Sequence, residues 1–117
     1  MQPANLPLDI YRGDSLRLRL KLYDQGQQPI DLTDVVAKSE IRDRPAGSTV
    51  IPFTCVIILP NTIELFLTAG DSFRLPVQGV WDLQLTYING EVQTPLAGQV
   101  TVTPDVTDST PFPQQLR

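Results

Sequence analysis

Apolar and polar residues alternate along most of the chain with a period of two, which is typical of β-strands. The clearest case is the segment 15–23. Its apolar face consists of Leu16, Leu18, Leu20 and Leu22. Its opposite face is cationic and consists of Arg17, Arg19 and Lys21. The alternation predicts a half-buried strand whose cations are either a solvated outer surface or an electrostatic contact with an acidic neighbouring subunit.

Further strands are predicted over 35–42, 50–59 and 62–68. The segment 50–59 is apolar on both faces. One face is expected to point inward and consists of Ile51, Phe53, Cys55 and Ile57. The other face contains Pro52, Val56 and Ile58, and it is covered either by loops of the same chain or by another subunit.

The segment 81–102 predicts a long β-hairpin. Asn89-Gly90 is the dipeptide that type I′ turns favour, because both central residues need positive φ. A two-residue loop gives the following cross-strand pairs: Tyr87–Val92, Leu85–Thr94, Leu83–Leu96 and Trp81–Gly98. The inner face is then apolar, and Gly98 is expected to leave room for the indole of Trp81.

Pro95 conflicts with this pairing, because it has no N–H to donate to the ladder. A bulge near Pro95, or a partly free edge there, resolves the conflict. A bulge is expected to move the Trp81–Gly98 pairing by one residue.

One short helical turn is predicted, in the segment 68–76. Strands separated by turns every 8–12 residues indicate an all-β fold, an antiparallel β-sandwich of about 7–8 strands, with a small barrel as the alternative. We predict a single domain over residues 8–104. Residues 1–7 are expected to form an extended arm, and so is the proline-rich segment 105–117. Both arms are expected to lie on neighbouring subunits.

The composition argues against most catalytic chemistry. Histidine is absent and cysteine occurs once, so the chain contains no Ser-His-Asp or Cys-His pair, no Cys/His zinc cluster and no internal disulfide. Cys55 is interpreted as a small buried hydrophobe. Aspartates in turns, and the two Gly-Asp-Ser sequences at 13–15 and 70–72, are best explained by turn or helix-cap roles rather than by calcium binding or catalysis. We expect no cofactor, no metal and no enzymatic activity.

Charge and hydropathy also limit the partners. The chain has thirteen acidic and nine basic side chains and a net charge of −4, which disfavours nucleic acid. No apolar run has the roughly 20 residues needed to cross a bilayer, and the first residues lack the pattern of a secretory leader. The expected partners are therefore proteins.

The order of these features resembles a family of small bacteriophage virion proteins: the immunoglobulin-like N-terminal domain of baseplate upper proteins, and related tail, fibre-associated or neck proteins. The resemblance spans about residues 8–107. Its motifs fall at Asp24–Thr33, Ile41-Arg42, Leu65–Thr68, Gly79–Leu85, Asn89-Gly90 and Gly98–Thr107.

The resemblance implies an immunoglobulin-like β-sandwich and a non-enzymatic structural role in the virion. The protein would connect or cement subunits of a tail, baseplate, fibre or neck assembly, as a symmetric oligomer or as an adaptor between other virion proteins. The candidate interface residues are Arg17, Arg19, Lys21, Val56, Ile58, Val106, Phe112 and Leu116.

The alternative hypothesis is a carbohydrate-binding sandwich. Such a module needs exposed aromatic side chains that form a platform. The candidates are Tyr11, Tyr23, Phe66, Phe73 and Phe112.

Overall fold

The computed structural model describes residues 3–48 and 50–104. These residues form nine strands and one short helix. The elements in chain order are β1 (Ala4–Asn5), β2 (Leu8–Tyr11), β3 (Leu16–Lys21), β4 (Val36–Arg42), β5 (Val50–Pro52), β6 (Thr54–Ile58), β7 (Thr62–Leu67), α1 (Ala69–Phe73), β8 (Gln78–Thr86) and β9 (Val92–Thr103).

The strands form two sheets that pack together, which confirms the all-β sandwich. The larger sheet has the order β1-β9-β8-β4-β5, with β2 also paired to β9, and the smaller has the order β3-β7-β6. The sandwich is not wholly antiparallel, because β1 and β2 both pair with β9 in parallel. The most deeply buried core side chains come from both sheets and include Ile41, Ile63, Leu65, Leu67, Leu83 and Leu85.

The segment 50–59 is two strands rather than the single strand predicted. β5 pairs with β4 in the larger sheet, whereas β6 pairs with β7 in the smaller one. The chain changes sheets at Phe53, whose N–H donates to the carbonyl of Ser39 at 2.9 Å. The phenyl ring packs edge-on against Trp81, with ring centroids 6.1 Å apart. The predicted inward phase is correct, since Ile51 and Phe53 are buried.

The N-terminal segment corrects the predicted arm of residues 1–7. Ala4–Asn5 pairs with β9 of the same chain, and the Leu6 N–H donates to the carbonyl of Ala97 at 2.9 Å. The indole N–H of Trp81 donates to the carbonyl of Leu6 at 2.8 Å. The described part of this segment therefore lies in the chain's own sheet, where it satisfies the only polar group of a buried tryptophan.

Gly98 is needed for a different reason from the one predicted. It does lie opposite Trp81. However, a Cβ at this position would lie 2.2 Å from the carbonyl oxygen of Leu6. The glycine therefore allows the N-terminal backbone, rather than the indole ring, to approach β9.

The hairpin turn has a three-residue loop instead of the predicted type I′ turn. Gly90 has a positive φ of 88°, whereas Asn89 does not have a positive φ. The Tyr87 N–H donates to the carbonyl of Glu91 at 2.8 Å, which closes the loop over residues 88–90. Such loops place a single residue, usually glycine, in the left-handed region. The side-chain oxygen of Asn89 accepts from the Glu91 N–H.

The predicted bulge is present, but its effect on the register differs from the prediction. The ladder shifts between Leu83 and Leu85, so Thr94 and Pro95 lie in the bulge. Near the turn Leu85 pairs with Gln93 rather than with Thr94. The longer loop moves the pairing by one residue and the bulge moves it back. Leu83–Leu96 and Trp81–Gly98 therefore pair as predicted.

Candidate functional site

The outer surface of the smaller sheet brings together five of the eight predicted interface residues. Arg19, Glu64 and Val56 form one cross-strand row, and Lys21, Thr62 and Ile58 form the next. A third row contains Arg17, Phe66 and Thr54. Paired residues of neighbouring strands share a face. We call this surface, formed by the side chains of these nine residues, the basic face.

The cations of the basic face outnumber its carboxylates. Glu64 accepts from Arg17 at 2.7 Å and lies 3.7 Å from Arg19. The guanidinium of Arg17 also stacks on the ring of Phe66, 4.5 Å from its centroid. The basic face thus carries three cations and one carboxylate, although the chain as a whole has a net charge of −4. A local positive excess on an acidic molecule favours an acidic partner.

The β6 side of the basic face is apolar. Val56 is 48% exposed and Ile58 is 37% exposed. One predicted alternative was that loops of the same chain cover these side chains, and no described part of the chain does so. Val106, Phe112 and Leu116, the other predicted interface residues, lie outside the described residues.

Sequence reasoning did not assign Thr54, Thr62, Glu64 or Phe66 to an interface, although Glu64 and Phe66 supply the carboxylate and the aromatic ring of this surface. The alternation in 62–68 already assigned Ile63, Leu65 and Leu67 to the core, so the intervening residues had to point outward. The sequence did not reveal that they lie between β3 and β6, because that requires the order of the strands.

The outer surface of the larger sheet contains a groove of about 650 Å³. Pro3 and Asn5 line one side and Pro45 and Ala46 the other, while charged residues line its floor. The floor residues include Lys38, Glu40, Arg42 and Asp82. Sequence reasoning did not predict this groove, because its walls come from the β4–β5 loop and from the N-terminal segment.

The charges on the groove floor largely compensate one another. Glu40 lies 3.5 Å from the amine of Lys38 and 2.9 Å from the guanidinium of Arg42. Asp82 pairs directly with Glu40 across the strands. Burial, together with the negative charge of Glu40, raises the pKa of Asp82. Trp81 contributes no stacking surface here, because only 2% of it is exposed.

Two of the turn aspartates, Asp24 and Asp31, accept hydrogen bonds from backbone N–H groups of their own turns, as predicted. The carboxylate of Asp24 accepts from the N–H groups of Gly26 and Gln28. That of Asp31 accepts from the hydroxyl and the N–H of Thr33, which lowers its pKa. Within residues 3–48 and 50–104, no three potential metal-ligating side chains form a group.

The two Gly-Asp-Ser sequences meet in space. The Gly13 N–H donates to the hydroxyl of Ser72 at 3.0 Å. Ser72 is fully buried, so its hydroxyl ties α1 to the turn after β2. Cys55 is half-buried rather than buried, and partial burial raises the pKa of its thiol. Neither side chain has the surroundings of an activated nucleophile.

No helix in the described part of the chain is long and apolar enough to span a membrane. Comparison with models of known protein families and with curated proteins gave no match.

Proposed function

We propose that this protein is a non-enzymatic structural component of a bacteriophage virion. It connects or cements subunits of a tail, baseplate, fibre or neck assembly and contacts an acidic virion protein through the basic face. The observation that carries the proposal is the convergence of three cations and two exposed aliphatic side chains on one side of the sandwich. The motif order described above supports the phage assignment.

The strand order supports an immunoglobulin-like topology. Immunoglobulin sandwiches place strands B, E and D in one sheet and C, F and G in the other. Here β3, β7 and β6 take the positions of B, E and D in the chain order, and β4, β8 and β9 take those of C, F and G. The match agrees with the fold that the family resemblance implies.

The basic face has the chemistry of a protein interface. Arginine and aromatic residues are enriched in such interfaces. The stacking of Arg17 on Phe66 restricts the guanidinium before any partner binds, so less side-chain entropy is lost on association. Arg19 and Lys21 increase the rate of encounter with an acidic surface.

Three of the five aromatic candidates, Tyr11, Tyr23 and Phe66, do not favour the carbohydrate-binding alternative. Tyr11 and Tyr23 are exposed but lie beyond opposite ends of β3. The ring of Phe66 is covered by Arg17. None of these three therefore combines with another into a platform on which a sugar ring stacks.

Co-expression with the products of the flanking genes tests the proposal. The tagged chain should co-purify with a tail, baseplate, fibre or neck protein. The variant Arg19→Glu/Lys21→Glu should lose this partner, because it reverses the charge of the basic face. Lys38→Glu/Arg44→Glu is the matched control, since it makes the same change in net charge elsewhere and should retain the partner. The proposal is wrong if the flanking genes encode no virion proteins or if both variants behave alike.

A further inference from the structure

The free edge of β3 suggests how the partner binds. Within residues 3–48 and 50–104, β3 pairs only with β7. Among the described residues, no further backbone hydrogen bond outside the strand ladders involves residues 16–21. The segment contains no proline and its ladder with β7 has no bulge. It therefore presents a regular row of unpaired backbone groups, which is a template for another strand.

The hydrogen-bonding pattern identifies the groups on this free edge. The Leu22 N–H donates to the carbonyl of Asn61, so the even-numbered residues of this strand direct their backbone groups toward β7. Hydrogen-bonded pairs alternate with non-bonded pairs in an antiparallel ladder. The N–H and C=O groups of Arg17, Arg19 and Lys21 therefore point away from the sheet, at the same residues that supply the cations.

The apolar side of β3 is also incomplete. Leu16, Leu18 and Leu20 are only partly buried. Their cross-strand partners in β7, which are Leu67, Leu65 and Ile63, have no exposed surface. A strand added beside β3 would cover the remaining apolar area of these leucines.

The N-terminal strands leave this edge open. β1 and β2 pair with β9 in the larger sheet and not with β3. A second copy of the chain is a poor occupant, because β3 paired with β3 would bring the cationic rows of two chains together. Like charges in adjacent strands are destabilising. The occupant must instead supply acidic side chains.

We propose that β3 accepts an added strand from an extended partner segment in which acidic and aliphatic residues alternate. Its carboxylates lie beside Arg17, Arg19 and Lys21 on the outer face. Its aliphatic side chains lie beside the leucines, and its backbone completes the ladder. Lys21 has no ion-pair partner among the described residues, so it is available for a partner's carboxylate. The assignment of this segment to a virion protein rests on the proposed function, whereas the mode of binding does not.

Peptide binding to the full chain tests the proposal, with fluorescence anisotropy as the readout. The probe is a nine-residue peptide of alternating glutamate and valine. The matched control has the same composition with its glutamates grouped at one end. We expect the alternating peptide to bind at least about tenfold more tightly, because only it satisfies both sides of the strand. Equal affinities would show attraction by charge alone and would overturn the proposal.

A pair of variants at one position separates the backbone from the charge. Arg19→Ala and Arg19→Pro both remove the cation, but only proline removes the N–H that points to the free edge. This N–H makes no bond to β7, so an edge-strand proline is compatible with the fold. We expect Arg19→Pro to bind the alternating peptide at least about tenfold more weakly than Arg19→Ala, with unchanged circular dichroism.

If Arg19→Pro does not fold, an N-methylated peptide provides the same test on the unmodified protein. N-methylation of the residues that face β3 should abolish binding, whereas N-methylation of the intervening residues should not. Equal binding of the two peptides would refute strand addition. Loss of peptide binding through self-association, seen by analytical ultracentrifugation as a dimer that Lys21→Glu strengthens, would also refute it.

The outcomes distinguish this proposal from the proposed function. If the chain captures a virion protein but not the alternating peptide, strand addition is wrong and the virion role stands. If the chain binds the peptide but its flanking genes encode no virion proteins, the virion role is wrong and strand addition stands.

Discussion

The two outer surfaces of the sandwich differ in how their charges are balanced. On the larger sheet Lys38 and Arg42 both contact Glu40, and Asp82 lies next to them. On the smaller sheet Arg17 and Arg19 contact Glu64, and Lys21 has no ion-pair partner among the described residues. Similar alternating strands thus produce one electrostatically compensated surface and one with a positive excess.

The two sheets also differ at their edges on the β9 and β3 sides. The larger sheet is extended beyond β9 by β1 and β2, whereas the smaller sheet ends at β3. The charge excess therefore lies on the sheet whose β3 edge is not covered by any described residue. The N-terminal segment thus covers the β9 side of the larger sheet and leaves the β3 edge of the smaller sheet uncovered.

The largest expected effect comes from removing the side chain that holds the N-terminal segment. Trp81 packs against Phe53 and donates to Leu6. Trp81→Ala should lower the free energy of unfolding by about 3–5 kcal/mol, because it leaves a large cavity in the core. Urea denaturation followed by circular dichroism measures the change. Trp81→Phe keeps most of the packing and should cost less. If both variants lowered the free energy of unfolding equally, the hydrogen bond of the indole N–H, and not ring packing, would account for the stabilisation by Trp81.

Sequence reasoning located most strands because their core positions recur with a period of two. It failed at Phe53, where the chain changes sheets. Residues on both sides of that point are apolar in both phases, so periodicity gives no sign of a break. It also failed at Ala4–Asn5, since two residues show no alternation and their pairing with β9 is a tertiary effect.

The hairpin shows how two local deviations can cancel. Asn89-Gly90 is compatible with both a two-residue and a three-residue loop, and propensity does not distinguish them. Pro95 correctly indicated a bulge. The candidate site was similarly half-predictable: the pattern identified Arg17 and Val56 separately, but only the strand order places them on one face.

The second-largest expected effect comes from Gly98. It distinguishes the stability contributed by the N-terminal segment on β9 from that contributed by general core packing. Gly98→Ala places a Cβ on the carbonyl of Leu6, so the N-terminal segment must move away and the Trp81 indole loses its acceptor. We expect a loss of about 1–3 kcal/mol and faster hydrogen exchange at the Leu6 amide, measured by NMR. Binding of the alternating peptide at β3 should not change.

Gly70→Ala is the matched control for this change. A Cβ at Gly70 meets no atom within 4 Å, and the residue lies in α1. Alanine in a helix is more favourable than glycine by roughly 0.5–1 kcal/mol. If both substitutions changed stability in the same direction, the close approach of Leu6 to β9 would not explain the Gly98 result.

The third effect tests whether the difference in charge between the surfaces is local. Glu64→Gln leaves the cations of the basic face uncompensated and should strengthen peptide binding several-fold at low salt. Its cost in stability should stay below about 1 kcal/mol, because the ion pairs are largely exposed. Glu40→Gln makes the same charge change on the larger sheet and should leave peptide affinity unchanged. Equal gains measured by anisotropy would mean that net charge alone governs binding.

The smallest effect concerns the two carboxylates of the groove. The pKa of Asp82 is raised by burial and by Glu40, so the folded state holds this proton more tightly than the unfolded state. Stability from this group is therefore lost as pH rises from the ordinary aspartate range through the raised pKa. Asp82→Asn should remove that loss and stabilise the protein at pH 7 by about 0.5 kcal/mol, as expected for relief of a cross-strand like-charge pair.

Asp31 provides a control of opposite sign. Hydrogen bonds from Thr33 lower its pKa, so its contribution is present above the unfolded pKa and is lost as pH falls through the lowered one. The midpoint of urea denaturation is measured at a few pH values per pH unit from pH 3 to pH 8. The dependence of this midpoint on pH should change in opposite directions for Asp82→Asn and Asp31→Asn. If Asp82→Asn left the pH profile unchanged, Glu40 and Asp82 would not repel each other in the folded protein. The negative charges on the larger sheet would then be balanced by its cations alone. The two outer surfaces would differ in charge balance only because they carry different numbers of carboxylates.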